Sequence, residues 1–90
     1  MTDARAWEMR VFLRVAARGA FSAAGRELGI TPSATAKLIT RIEARLGVRL
    51  VERSTRRLRL TPEGEVYRER AEALLAELEA MEAELAGQAV

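Results

Sequence analysis

Two Thr-Pro pairs and a set of spaced glycines confine this chain to a string of helices. A threonine side chain can accept a hydrogen bond from the first free amides of a helix, and proline fits the first helical position, where its missing N–H is no loss. Thr31-Pro32 and Thr61-Pro62 therefore mark two helix starts. A glycine just past a helix end supplies the left-handed conformation that stops it. Gly19, Gly29, Gly47 and Gly87 are placed to do so. The punctuation predicts a first helix over residues 4–18 and a second capped by Ser22 and closed at Gly29. A third should run from Pro32 to Gly47, and a long fourth from Pro62 to about Ala86.

Spacing of apolar residues gives these helices faces. In the first, Met9, Phe12, Leu13 and Ala16 form one apolar line, and Trp7, Val11 and Val15 form an adjoining one. So wide an arc suits either a central helix or one whose second face meets another subunit. In the second, Ala24 and Leu28 share a face around Gly25, a glycine that costs roughly 1 kcal/mol of helix propensity and so marks a close backbone approach. Thr35, Leu38, Ile39, Ile42 and Leu46 make the inward stripe of the third. After Gly47 the period changes to two: Val48 and Leu50, then Leu58 and Leu60, alternate with polar neighbours around the turn-prone run 52–57. That is a short hairpin with a basic tip. In the last helix Tyr67, Ala71, Leu74, Leu78, Met81 and Leu85 alternate spacings of four and three, the rhythm of a coiled-coil seam. About 25 helical residues make a rod of roughly 37 Å, too long to bury its seam on so small a core. A second copy of the same helix is the simplest cover.

Ninety residues suffice for one small domain with an appendage. With neither Cys nor His, the chain has no disulfide, thiolate or imidazole metal site, and no histidine base. No cofactor, metal or enzymatic activity is expected; Glu63 and Glu65 at a helix N-terminus are explained by its dipole. No apolar run approaches a membrane span, no membrane partner is expected, and the anticipated compartment is the cytoplasm. The formal charge of +2 conceals a division. Residues 1–62 carry thirteen basic and five acidic side chains, a net +8, whereas residues 63–90 carry two and eight, a net −6. Such asymmetry points the basic part toward nucleic acid or an acidic surface.

The stretch from Phe21 to Leu46 meets the physical demands of a helix-turn-helix. Gly25 leaves room where the helices cross, Gly29 allows the turn, and Thr35 plugs the contact. On the third helix, Ser33, Ala36, Lys37 and Thr40 share a face that Arg41 and Ala44 continue, small, hydroxylic or basic without an acid. A compact face of this kind can approach base edges in a major groove. Hydroxyls of Ser22, Thr31 and Ser33, with the helix amides behind Pro32, can reach phosphates. Thr55 sits among Arg53, Arg56, Arg57 and Arg59 on the hairpin, which reads as a basic wing lying on the backbone or in a minor groove.

With these residues placed, the chain resembles the N-terminal DNA-binding domain of LysR-type transcriptional regulators. The likeness rests on the run Phe21 to Ile39, on Ile42-Glu43, Leu46-Gly47, Leu50-Val-Glu-Arg53, and Leu60-Thr-Pro-Glu-Gly64. It implies a mainly α fold, a winged helix-turn-helix over residues 1–61 followed by a dimerisation linker helix over 62–90, pairing antiparallel in a homodimer. It also implies sequence-specific binding to partly palindromic double-stranded promoter DNA in bacterial transcription control. Pro32, Ser33, Ala36 and Lys37 would hold the recognition-helix contacts, and Arg53 and Arg56 those of the wing. Trp7, Val11 and the seam from Tyr67 to Leu85 would meet the second copy. Ala36 stands where the family usually has Ser, Leu38 where Gln is common, Thr35 for Val and Val51 for Phe. Family members carry a C-terminal effector-binding domain, so the chain is expected to be part of a longer protein whose small-molecule effector binds elsewhere. The other readings are a helical dimerisation module for protein interaction, and a non-specific architectural DNA-binding protein.

Overall fold

The computed structural model describes residues 4–53 and 57–87. Helices α1 (Arg5–Arg18), α2 (Phe21–Leu28) and α3 (Pro32–Leu46) are followed by strands β1 (Val51–Glu52) and β2 (Arg59–Leu60) and a long helix α4 (Pro62–Leu85). The strands pair antiparallel, Val51 opposite Leu60 and Glu52 opposite Arg59. No helix among the described residues is long and apolar enough to cross a membrane.

The two Thr-Pro caps form as the sequence predicts. Thr31 Oγ1 accepts from the Ala34 amide at 3.0 Å, and Thr61 Oγ1 from the Gly64 amide at 3.0 Å. Thr61 also ties its helix to the hairpin. Its hydroxyl donates to the Arg49 carbonyl at 2.6 Å and its amide to the Leu50 carbonyl at 3.0 Å. The start of α4 is thereby fixed to the strand region. Gly64 faces the Leu50 carbonyl so closely that a Cβ there would collide with it.

Several sequence expectations shift. Ser22 does not cap α2; Ala20, extended at φ −160°, takes that place, and Ser22 is an exposed residue of the first turn. Phe21, packed against the core, begins the helix two residues earlier than a Ser22 cap would. The buried line of α1 is Glu8, Val11, Phe12 and Val15, one position round from the predicted one, and Met9, Leu13 and Ala16 are only half-buried. Of the stripe on α3, Thr35, Ile39 and Ile42 are buried, whereas Leu46 is 46% exposed because α3 outruns the core. The first strand starts at Val51, not Val48, and Leu50 and Val51 are both buried. Strict alternation fails there because a buried carboxylate, Glu43, holds both of their amides.

The core consists of Val11, Phe12, Val15, Ala24, Ile39, Ile42, Leu50 and Val51. Its helix-turn-helix contact is close. A Cβ on Gly25 would lie 2.6 Å from the Ile30 carbonyl oxygen and 2.8 Å from Thr35 Oγ1. Thr35 itself donates to the Thr31 carbonyl at 2.9 Å, which satisfies its buried hydroxyl. Gly25→Ala should therefore lower stability by about 2 kcal/mol, overpacking outweighing the gain in helix propensity. Urea unfolding would show a lower midpoint. A variant as stable as the parent would mean that the crossing has slack.

Candidate nucleic-acid interface

The turn at Gly29 and the cap at Thr31 swing α3 so that one side closes on the core and the other faces outward. Pro32, Ser33, Lys37, Thr40 and Arg41 are exposed on that outer side, and Ala36 is half-buried among them. All but Pro32 belong to the face predicted from spacing, and Pro32 stands at its start. Thr31 is exposed too, but its oxygen already accepts from Ala34.

The described acids of the N-terminal half, Glu8, Glu27 and Glu43, are each paired with arginine. Glu8, only 3% exposed, pairs with Arg45 at 2.7 Å. Glu27 pairs with Arg14 and Arg18. Glu43 receives Arg53 at 3.2 Å and Arg49 at 3.8 Å. Lys37 and Arg41 have no carboxylate within ion-pair distance among the described residues, so the field outside α3 is positive.

The wing base differs from its sequence reading. Arg53 does not simply project outward. Its Nη2 donates to Thr40 Oγ1 at 3.2 Å and to Glu43 Oε1 at 3.2 Å, and its guanidinium carbon stands 5.2 Å from the Phe21 ring centroid. Glu43 Oε2 meanwhile accepts from the Leu50 and Val51 amides at 2.8 and 3.2 Å. Helix α2, helix α3 and β1 thus meet at one ionic knot. Arg57 and Arg59 are exposed on the returning arm of the hairpin, while Thr55 and Arg56 lie outside the described residues. Spacing gives no role to Glu43 or Glu8, yet a signal is present. Each stands at helical spacing within a buried apolar line, where a carboxylate must find donors.

The predicted second-copy contacts divide into two groups. Val11 is fully buried and Ala71 is 2% exposed, so both pack within the chain and neither reaches an outer seam. Tyr67 is half-buried with its ring edge-on to Phe12, centroids 4.8 Å apart. That burial pushes its phenol above its ordinary range; Arg45 opposes the rise and Glu8 reinforces it. Leu75, absent from the predicted seam, is 7% exposed. Trp7, Leu74, Met81 and Leu85 do face outward, at 39, 55, 49 and 80% exposure, and Leu78 is half-buried. No cluster of acidic residues suited to hold a metal ion occurs among the described residues.

A helix-turn-helix followed at once by a two-stranded hairpin defines a winged helix-turn-helix protein, mainly helical, with its basic recognition helix outward. Residues 7–65 match the model of the bacterial regulatory helix-turn-helix proteins of the lysR family, and the chain belongs to that family. The HTH-type transcriptional regulator CrgA of Neisseria meningitidis is 42% identical over 78 residues, 87% of this chain and 26% of the relative. DmlR of Escherichia coli, also an HTH-type transcriptional regulator, is 41% identical over 78 residues, 87% of this chain and 25% of its own length. The chain thus spans about a quarter of these relatives. Among solved structures, the BenM_DBD/catB site 1 DNA complex superposes with a TM-score of 0.86 at 29% identity, covering 89% of each chain. The CbnR_DBD–DNA complex gives 0.81 at 31% identity, covering 93% of this chain and 95% of that one.

Proposed function

We infer that residues 1–61 bind double-stranded DNA sequence-specifically in bacterial transcription control, and that residues 62–90 join two copies into a homodimer. The observation that carries this reading is the acid-free outer face of α3, where Lys37 and Arg41 meet no carboxylate among the described residues, beside a basic hairpin. A helix so exposed can enter a major groove, with Ser33, Ala36, Lys37 and Thr40 toward base edges. Thr31 and Ser22 hydroxyls and the amides at the start of α3 suit phosphate, as do Arg41 and Arg57. Thr55 and Arg56 complete the wing as proposed phosphate or minor-groove contacts, and Arg53 contributes through the N–H groups not engaged on α3. Likeness to chains solved in complex with DNA supports the same reading. A small-molecule effector, in such a regulator, would act through a domain beyond this sequence.

The test is binding to duplexes chosen from a random library, in excess competitor DNA. Lys37→Ala and Arg56→Ala together should weaken binding, and removing a phosphate-binding side chain should reduce the salt slope by about one unit. Binding without sequence preference would assign an architectural role, and no binding would leave a protein-interaction module. Unchanged affinity in the double variant would remove both residues from the site.

A further inference from the structure

We propose that Arg53 fixes the hydroxyl of Thr40 as a hydrogen-bond donor toward the groove, making Thr40 a specificity-determining residue of the recognition face. The inference rests on the DNA-reading assignment and deepens it. A threonine hydroxyl has one proton and two lone pairs, so a free one reads donors and acceptors alike. Here the Arg53 Nη2 donates to Thr40 Oγ1 at 3.2 Å, which occupies a lone pair on the protein side. The guanidinium is itself held by Glu43 Oε1 at 3.2 Å and lies over Phe21, so it cannot rotate away cheaply. Glu43 is 8% exposed and anchored in turn by the Leu50 and Val51 amides. A cation beside the oxygen also polarises its O–H bond and makes it the better donor.

Thr40 is exposed one helical turn beyond Ala36 and Lys37, on the same outer face. Thr35, five residues earlier, spends its proton on the carbonyl of Thr31, whereas Thr40 makes no such bond to a described residue. Its proton is therefore available outward. In the major groove a donor selects guanine O6 or N7, adenine N7 or thymine O4, and disfavours an approach to the amino groups of adenine and cytosine. Arg53 acts here as a positioning residue through Thr40, and its remaining N–H groups can still meet a phosphate.

The experiment compares sites selected by the 90-residue chain, Thr40→Val, Thr40→Ser and Arg53→Met from one random duplex library, followed by affinities for all four base pairs at each position. Thr40→Val keeps shape at an exposed position and loses the hydroxyl, so folding does not confound it. It should flatten the preference at one base pair per half-site by about fivefold, the scale of one net hydrogen bond, leaving other positions as they were. Thr40→Ser should retain that preference. Arg53→Met should lose discrimination at the same base pair, newly tolerating an amino group there, which a uniformly weakened binder would not do. Thr40→Val with an unaltered preference overturns the proposal, as does Thr40→Ser behaving like Val. Arg53→Met with the parent's discrimination at that pair overturns the role of Arg53. A parent chain that selects no sequence overturns the DNA-reading assignment itself, and the proposal falls with it.

Discussion

Glu43→Ala should melt about 15–20 °C below the parent chain, the largest loss we expect from a single substitution outside the apolar core. Its carboxylate accepts the Leu50 amide at 2.8 Å, the Val51 amide at 3.2 Å and Arg53 at 3.2 Å. Alanine removes all three bonds. Leu50 and Val51 are 1% and 0% exposed, so water does not easily replace the acceptor at their amides. A buried donor left unpaired costs about 1–3 kcal/mol, and two of them, with a displaced arginine, amount to about 3 kcal/mol. In a domain of this size each kcal/mol moves the midpoint by roughly 4–8 °C. Glu43→Gln separates geometry from charge. Its carbonyl oxygen can still take one or both amides, so the drop should be about half as large. Thermal unfolding followed by circular dichroism decides the matter. An alanine variant melting within about 3 °C of the parent would mean that the strand is held by its apolar contacts alone.

The same residue shows where reading the sequence succeeds and where it stops. Four helices, both Thr-Pro caps and the glycine crossing at Gly25 are local matters, decided by backbone chemistry within a few residues, and they are legible. So is the outer face of α3, because a helix carries its period with it. Ser22 reads as a cap, but Ala20 adopts the extended conformation that brings Phe21 onto the core. Alternation at Val48 and Leu50 starts the strand three residues early, because it is blind to a carboxylate arriving from α3. Arg53 reads as a wing contact because nothing near it in sequence announces Glu43, Thr40 and Phe21 as partners. Val11 reads as a second-copy contact because the first helix has two apolar lines and spacing alone cannot say which one the core takes. Packing takes Phe12 from one line and Val11 and Val15 from the other, with Glu8 beside them, whose carboxylate Arg45 from α3 satisfies. Each difference arises from a contact between elements distant in sequence.

Leu74→Asp combined with Met81→Asp should convert the chain to a monomer and reduce affinity for a two-half-site duplex by about 100-fold or more. These side chains are 55% and 49% exposed within one copy, on the outward side of α4. Replacing them should disturb the fold of a single chain less than a change at Ala71 or Leu75, which are buried. Leu85 at 80% and Trp7 at 39% exposure add to the uncovered apolar surface. A surface of this kind, on a helix of 24 residues, is best covered by a copy of itself. Charge favours an antiparallel pair: the first half of α4 offsets Glu63, Glu65, Glu69 and Glu72 with Arg68 and Arg70, whereas the second carries Glu77, Glu79, Glu82 and Glu84 with no basic residue. Antiparallel crossing brings the more acidic half of one copy beside the half of the other that holds both arginines, whereas a parallel pair would align the two most acidic halves. Two linked recognition helices gain affinity because the second binds at high local concentration, an advantage commonly of about 10²–10⁴, and a monomer forfeits it. Sedimentation reports the oligomeric state, and duplexes with one or two half-sites report the linkage. Ala73→Asp with Ala80→Asp adds the same charge off the seam and should leave both readouts close to the parent. A Leu74/Met81 variant that stays dimeric would move the interface from α4 to another face. Monomers that keep full affinity for the double site would instead show that each winged module binds alone, and that the acidic helix serves some purpose other than pairing.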